Sequence, residues 1–424
     1  MDMVVGKNPR SSWWALSALA LGAFAVPVGC EDFGGKVDAT AEEEDEAEAW
    51  QEELPEEARD ALTGLLEDAW PEAIAPTLER AQNAADALAI AAADWLSAIE
   101  SDGDSDAARA SAQDQWVLLM GAWQEAEVMQ IGPAASSLSA VAGEDLRDEV
   151  YSWTTVNPCR VDQETVEAGW LESDFYAANL VNVYGIDALE TVLFSDDEEN
   201  SCPPQVPPNS NDAWSALGPD GVAAKRAEFA IALAEHVSGN IGTIRAEWDS
   251  DGGDFGGKLA RAGKRQSPYD SQQQALNAVF DALFYMETRT KDRKLAWPLG
   301  KKDCGLEDCT TEGESLIAGM SHLWIRSNLT GFRTLFTGGE VLGMEDLLIS
   351  VDQEELANDM VVALDAADAA AAALDMPLEQ AIEDDVAGIN NLFDATREVT
   401  TLLKRDIATV LSLQIPQEAA GDND

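Results

Sequence analysis

NVYGIDALETVLF, residues Asn182 to Phe194, reads as a helix in which two carboxylates, Asp187 and Glu190, stand among large apolar side chains. At 100° per residue, Val183, Tyr184, Asp187, Glu190, Thr191 and Phe194 share one face, and Ile186, Leu189, Val192 and Leu193 cover the other. A helix apolar all round is a buried helix. The two acids, three positions apart, point the same way. A carboxylate taken out of water needs a counter-charge, a metal ion or a proton retained by a raised pKa. The stretch therefore predicts helix-on-helix burial, with a polar site inside it.

The helix from Gln115 repeats the pattern. Trp116, Met120 and Trp123 share a face with Glu127 in its middle, while Leu118, Ala122 and Met129 lie opposite. Inward carboxylates on neighbouring helices are how metal sites are built in helical bundles. The alternative is that arginine or lysine neutralises them, or that they cap a bundle end.

Outward from these helices the pattern stays helical. Alanine and leucine dominate from about Leu54, and β-branched alternation is rare. Breaks are expected near Pro71 and Pro76, at the turn SDGDSD (Ser101 to Asp106) and at Gly132-Pro133. SDGDSD lacks the glycine and glutamate that a calcium loop of the EF-hand type requires, and GKLARAGKR (Gly257 to Arg265) departs from the phosphate-loop pattern. SCPPQVPPNSND (Ser201 to Asp212) is proline-rich and without period, the expected hinge. The fold class is all-α, two helical bundles packed together. The predicted organisation is a signal peptide (1–29), an acidic tether (30–53), a first bundle (54–200), a hinge (201–213), a second bundle (214–415) and a tail (416–424).

The formal net charge of −54 repels phosphate backbones and argues against nucleic acid as a partner. The N-terminus has the layout of a secretory signal. Lys7 and Arg10 precede the apolar run WWALSALALGAFAVPV (Trp13 to Val28), and Gly29-Cys30 follows. That arrangement resembles the lipobox of bacterial lipoproteins, in which the cysteine carries lipid, with Pro27 where an aliphatic residue is usual. It predicts lipidation at Cys30 and a place in the bacterial cell envelope, on the outer membrane in preference, facing the periplasm or the exterior. Four further cysteines, an even number in an exported chain, predict disulfides. Cys304 and Cys309 flank GLED and close a small loop, leaving Cys159 to pair with Cys202. The CxxC spacing of a zinc site does not occur.

YGIDALETVLF resembles the signature of the imelysin family, Gly-x-His-x-x-Glu followed by aliphatic residues. AWQEAEVMQIGP (Ala122 to Pro133), KLAWPLG (Lys294 to Gly300), ESLIAGMSHLWIRSN (Glu314 to Asn328) and LTGFRTLFTGG are similar, in order and spacing, to other family segments. The resemblance implies two α-helical bundles facing each other, export or lipid anchoring, frequent association with iron uptake, and a peptidase label from one founding activity. It matches Glu190 to the motif glutamate and Gly185 to its glycine; Asp187 stands at the histidine position. Aspartate still ligates iron or calcium through oxygen, but is a poorer match to metals that favour nitrogen.

The expected site is a metal ion, iron favoured and calcium or zinc the alternatives, held by Asp187, Glu190 and Glu127, with Glu314 from the second half. The predicted function is a metal-binding, iron-uptake-associated lipoprotein without catalysis. A peptidase is the first alternative, yet HExxH is absent and the two histidines, His236 and His322, have no second histidine at ligand spacing. The other alternative is a scaffold that holds a surface receptor or envelope component without metal.

Overall fold

The computed structural model describes residue 50 and residues 53–302, 304–305 and 309–420. The predicted signal peptide, Cys30, nearly all of the predicted tether and residues 421–424 lie outside the described residues. No strand occurs among the described residues. The longer helices are α1 (Glu56–Asp68), α2 (Ala75–Glu100), α3 (Ser105–Ala126), α4 (Pro158–Glu167), α5 (Ile186–Phe194), α6 (Ala213–Trp248), α7 (Gln272–Leu283), α8 (Ser321–Thr337), α9 (Glu354–Ala372) and α10 (Val386–Thr401). None of the described helices is long and apolar enough to cross a membrane.

Alanine sets the tightness of the first bundle. On α2, Ala81, Ala85, Leu88, Ala92 and Trp95 are buried at three- and four-residue spacing. Their short side chains let α3 and α6 both pack along α2. Helix α5 lies against α6, α3 and α4. The second bundle comprises α8, α9, α10 and a π-helical segment, Met286–Ala296, and α8 packs on α3 to join the two. One buried apolar cluster runs through both, from Ala58 to Ala419.

Helix α6 follows the proline-rich segment in sequence but packs with first-half helices. The segment read as a hinge between bundles is therefore a connection inside the first. It is fastened by Asn209, whose amide donates to the Cys202 carbonyl at 2.7 Å. Pro71 also behaves differently from a simple break. The chain widens into a π-helical turn, Ala69–Ile74, and continues into α2, with Pro76 in the first turn where a missing N–H does no harm. At SDGDSD, Asp104 caps α3 by accepting from the Ala107 amide at 3.1 Å.

Helix α5 is shorter than its sequence pattern. It begins at Ile186, because Gly185 adopts φ +102° and breaks the periodicity that Asn182–Tyr184 seemed to start. A Cβ at Gly185 would sit 3.0 Å from the Val150 carbonyl. The far end of α5 is clamped by two arginines. Arg109 Nε donates to the Leu193 carbonyl at 2.8 Å, and Arg226 Nη1 donates to the Ser195 and Asp196 carbonyls at 2.9 and 2.7 Å. Both also pair with Asp197, at 2.7 and 2.6 Å. Cations at a helix C-terminus satisfy its free carbonyls and complement its dipole.

Both predicted disulfides are present, Cys159–Cys202 and Cys304–Cys309. The first closes a loop of 43 residues that contains α5. Removing it with Cys159→Ala and Cys202→Ala together should cost about 2–5 kcal/mol, read from urea unfolding. A loss under about 1 kcal/mol would show that the loop is closed by packing alone.

Candidate functional site

The inward acids lie in a buried polar layer at the seam of α3, α5 and α8. Glu127 occupies a 3-10 turn, Glu127–Met129, that continues α3, and is fully buried. Its Oε2 accepts from Arg147 Nη2 at 2.8 Å and from the Tyr285 hydroxyl at 2.9 Å, and Arg147 Nε adds a bond to Oε1 at 3.0 Å. One turn earlier, Gln124 donates Nε2 to Glu314 Oε1 at 3.0 Å and accepts from Lys294 Nζ. Asn328, on α8, donates to the Gln124 side chain at 2.9 Å and to its carbonyl at 2.7 Å. Glu314 pairs with Lys294 Nζ at 3.1 Å and accepts from the Tyr151 hydroxyl. Lys294 projects from the π-helical segment and is as buried as Glu314, each 1% exposed.

Two of the four predicted ligands, Glu127 and Glu314, are thus matched by internal cations. Asp187 and Glu190 are not. Both are buried in α5, and neither forms an ion pair among the described residues. Asp187 Oδ2 lies 3.0 Å from Ser152 Oγ, and its Oδ1 accepts from the Ala188 amide at 3.1 Å. Ser152 also reaches the Val181 carbonyl at 2.7 Å. It has one proton for those two acceptors, so a protonated Asp187 that donates to Ser152 satisfies all three groups. Glu190 Oε1 accepts from the Ala318 amide at 2.9 Å, in the segment between Glu314 and α8.

Burial pushes the Asp187 carboxyl up to about 7, against the bonds from Ser152 and the Ala188 amide that pull it down. Burial likewise pushes Glu190 up to about 8, and the charges of Asp187 and Glu314 push in the same direction. Tyr151 and Tyr285 are driven well above their ordinary values by burial first and the neighbouring carboxylates second, so both remain neutral donors.

Among the described residues, no group of three or more His, Cys, Asp or Glu side chains is arranged to hold a metal ion. The predicted four-acid set is divided: Arg147 and Lys294 occupy the places where a cation would face Glu127 and Glu314. Asp187 and Glu190 are the two of the four that form no ion pair among the described residues. Asp187 and Glu190 offer only oxygen, which suits a hard ion that completes its shell with water or main-chain carbonyls. Of the histidines, His236 stacks on Tyr176 with centroids 3.5 Å apart and lies 3.0 Å from the Asn240 amide. Burial pushes its pKa down to about 4.

Arg147, Tyr151, Ser152 and Tyr285 were not visible as site residues in the sequence. Arg147 had one signal, a lone basic residue within the acidic run GEDLRDEV. Lys294 and Asn328 lie inside segments singled out by the family resemblance, but only the fold shows that they meet at Gln124.

The family model described as Imelysin, which also carries a peptidase label, matches residues 45–404. An imelysin-like protein from Psychrobacter arcticum 273-4 superposes with a TM-score of 0.60 and 19% identity, over 84% of this chain and 97% of that one. A protein of Parabacteroides distasonis ATCC 8503, described as an iron-regulated protein A precursor, superposes with a TM-score of 0.62 and 17% identity, over 85% of this chain and 96% of that one. A search of curated proteins found no match.

Proposed function

Because the chain belongs to the imelysin family, we propose that it is an exported, lipid-anchored protein of the bacterial envelope that binds a hard metal ion through Asp187 and Glu190 in the service of iron acquisition, without catalysis. The observation that carries this reading is the pair itself. Two buried carboxylates three residues apart form no ion pair among the described residues, while the two acids beside them each form one. A bound ion would supply the missing charge. Ser152 and the Ala318 amide would orient the two carboxylates toward it. Iron is the first ion to test, since one similar structure is described as an iron-regulated protein. Calcium and zinc follow.

The reading is non-catalytic because the two tyrosines and the histidine with shifted pKa values here are held in structural contacts. Tyr151 and Tyr285 donate to Glu314 and Glu127, and His236 is held in an aromatic stack. The test loads the metal-free protein with ferrous iron under anaerobic conditions and measures what survives desalting. About one ion per chain supports the proposal. Peptide hydrolysis by the loaded sample would instead favour the peptidase. Loss of all iron, with no hydrolysis, would favour the metal-free scaffold.

The anchor is tested separately. With Cys30 as the lipidated residue, Cys30→Ser should move the protein from the membrane fraction to the soluble fraction. Unchanged membrane attachment would rule lipidation at this position out.

A further inference from the structure

Residues 289–302 invert the charge of the chain. They hold six of its 26 lysines and arginines and one of its 80 acids. Three of the six are used inside the fold. Lys291 and Lys302 pair with Asp292 at 2.8 and 2.7 Å, and Lys294 pairs with Glu314 at 3.1 Å. The other three, Arg289, Arg293 and Lys301, form no ion pair among the described residues. Where acids outnumber bases 80 to 26, cations left together without carboxylates run against composition. The local fold sets them along one strip. Within the π-helical segment, Thr290, Lys291, Asp292, Lys294 and Leu295 are buried, whereas Arg289 is exposed and Arg293 half-buried, as is Trp297 just beyond. Four residues are close to one turn of an α- or a π-helix, so Arg289, Arg293 and Trp297 share a side. Lys301 is exposed in the turn that follows, where its amide donates to the Ala296 carbonyl at 2.8 Å.

Aromatic rings hold two of the cations. The Arg293 guanidinium lies 4.1 Å from the Trp297 ring centroid, and Lys301 Nζ lies 4.8 Å from that of Phe393 on α10. A stacked guanidinium keeps its N–H edges available to oxyanions. The acids beside the strip are already engaged: Asp292 as above, Asp394 with Arg397 at 3.1 Å, and Glu287 with Lys404 at 3.5 Å. We infer that the strip rests on an anionic lipid surface, with Arg289, Arg293 and Lys301 meeting lipid phosphates and Trp297 lying at the level of the headgroups. An acidic peptide would match the cations alone. The indole among them is matched by the membrane–water interface, where tryptophan and basic side chains gather. The net charge of −54 does not prevent the contact. At physiological ionic strength fields fade over about 8 Å, so a surface responds to the strip that faces it and not to the whole chain. The contact presumes the envelope location proposed above. A lipid on Cys30 would make it intramolecular, so that three cations suffice to orient the protein.

The test uses the full mature chain carrying Cys30→Ser, so that neither lipidation nor metal loading affects the result. It is sedimented at physiological ionic strength with vesicles of phosphatidylcholine, alone or mixed with phosphatidylglycerol. Binding is expected with the mixed vesicles only. Arg289→Gln, Arg293→Gln and Lys301→Gln should each weaken it about fivefold, and the three together should abolish it. Lys264→Gln with Arg265→Gln, two exposed cations outside the strip, should leave it unchanged. Circular dichroism confirms that each variant is folded, and the comparison of the two vesicles needs no variant at all. Equal sedimentation with both vesicles, or none with either, would overturn the inference. So would a triple variant that binds like its parent, or equal losses from the strip and from the Lys264 and Arg265 pair. Binding to poly-glutamate without binding to vesicles would overturn it in favour of an acidic protein partner.

Discussion

Replacing Lys294 with methionine should destabilise the protein by about 3–5 kcal/mol, the loss expected when one partner of a buried ion pair is removed. Lys294 and Glu314 are each 1% exposed, and Nζ lies 3.1 Å from the Glu314 carboxylate. Burial pushes the Lys294 pKa down, and the charges of Glu314 and Glu127 push it back up. Methionine keeps much of the volume but leaves the buried Glu314 side chain without its counter-charge. It also removes one of the two donors to Gln124 Oε1, leaving Asn328 on α8 as the other. The second change identifies the cause. Adding Glu314→Gln to Lys294→Met removes the stranded charge and keeps one oxygen to accept from Gln124 and Tyr151, so most of the loss should be recovered. Urea unfolding of the single and double variants checks this. Equal destabilisation in both would mean that packing, not charge, explains the effect.

The second large effect is on pH dependence. Asp187 is raised to about 7 and Glu190 to about 8, against ordinary unfolded values near 3.9 and 4.3. In metal-free buffer between those limits, the folded chain holds protons that the unfolded chain has lost. The stability these groups contribute is fully present below about pH 4 and declines as the pH rises through about 7 and then 8. Each group adds a slope on the order of 1.4 kcal/mol per pH unit inside its window. The large negative charge of the whole chain acts in the same direction, so the informative quantity is a difference. Asp187→Asn with Glu190→Gln should come closest to wild type near pH 4 and exceed its stability by several kcal/mol near pH 9. Parallel curves for the two proteins would show that both acids are ionised and compensated in the fold.

Much of this was legible in the sequence, and the reason is periodicity. The buried faces of α2, α3 and α5 follow from residues a turn apart, and an even cysteine count with the expectation of export led to both disulfides. Asp187 and Glu190 stood out because an acid on an apolar face contradicts its surroundings. What periodicity does not encode is partnership at long range. Arg147 meets Glu127 and Lys294 meets Glu314 across 20 residues in each case, and Tyr151 reaches Glu314 from 163 residues away. Hence four acids looked equivalent when two of them form an ion pair and two form none among the described residues. The proline-rich segment misled for a related reason. Composition marks where regular structure stops, but the helix after it returned to α2, and only packing decides that.

The most direct measurement is a calorimetric titration of metal-free wild type and Glu190→Gln with ferrous iron, calcium and zinc at pH 8. Wild type should bind one hard cation per chain, and Glu190→Gln should bind none while its helices stay folded by circular dichroism. Equally poor binding by both proteins, or equally good binding, would contradict the assignment of Asp187 and Glu190 as the pair that takes the ion.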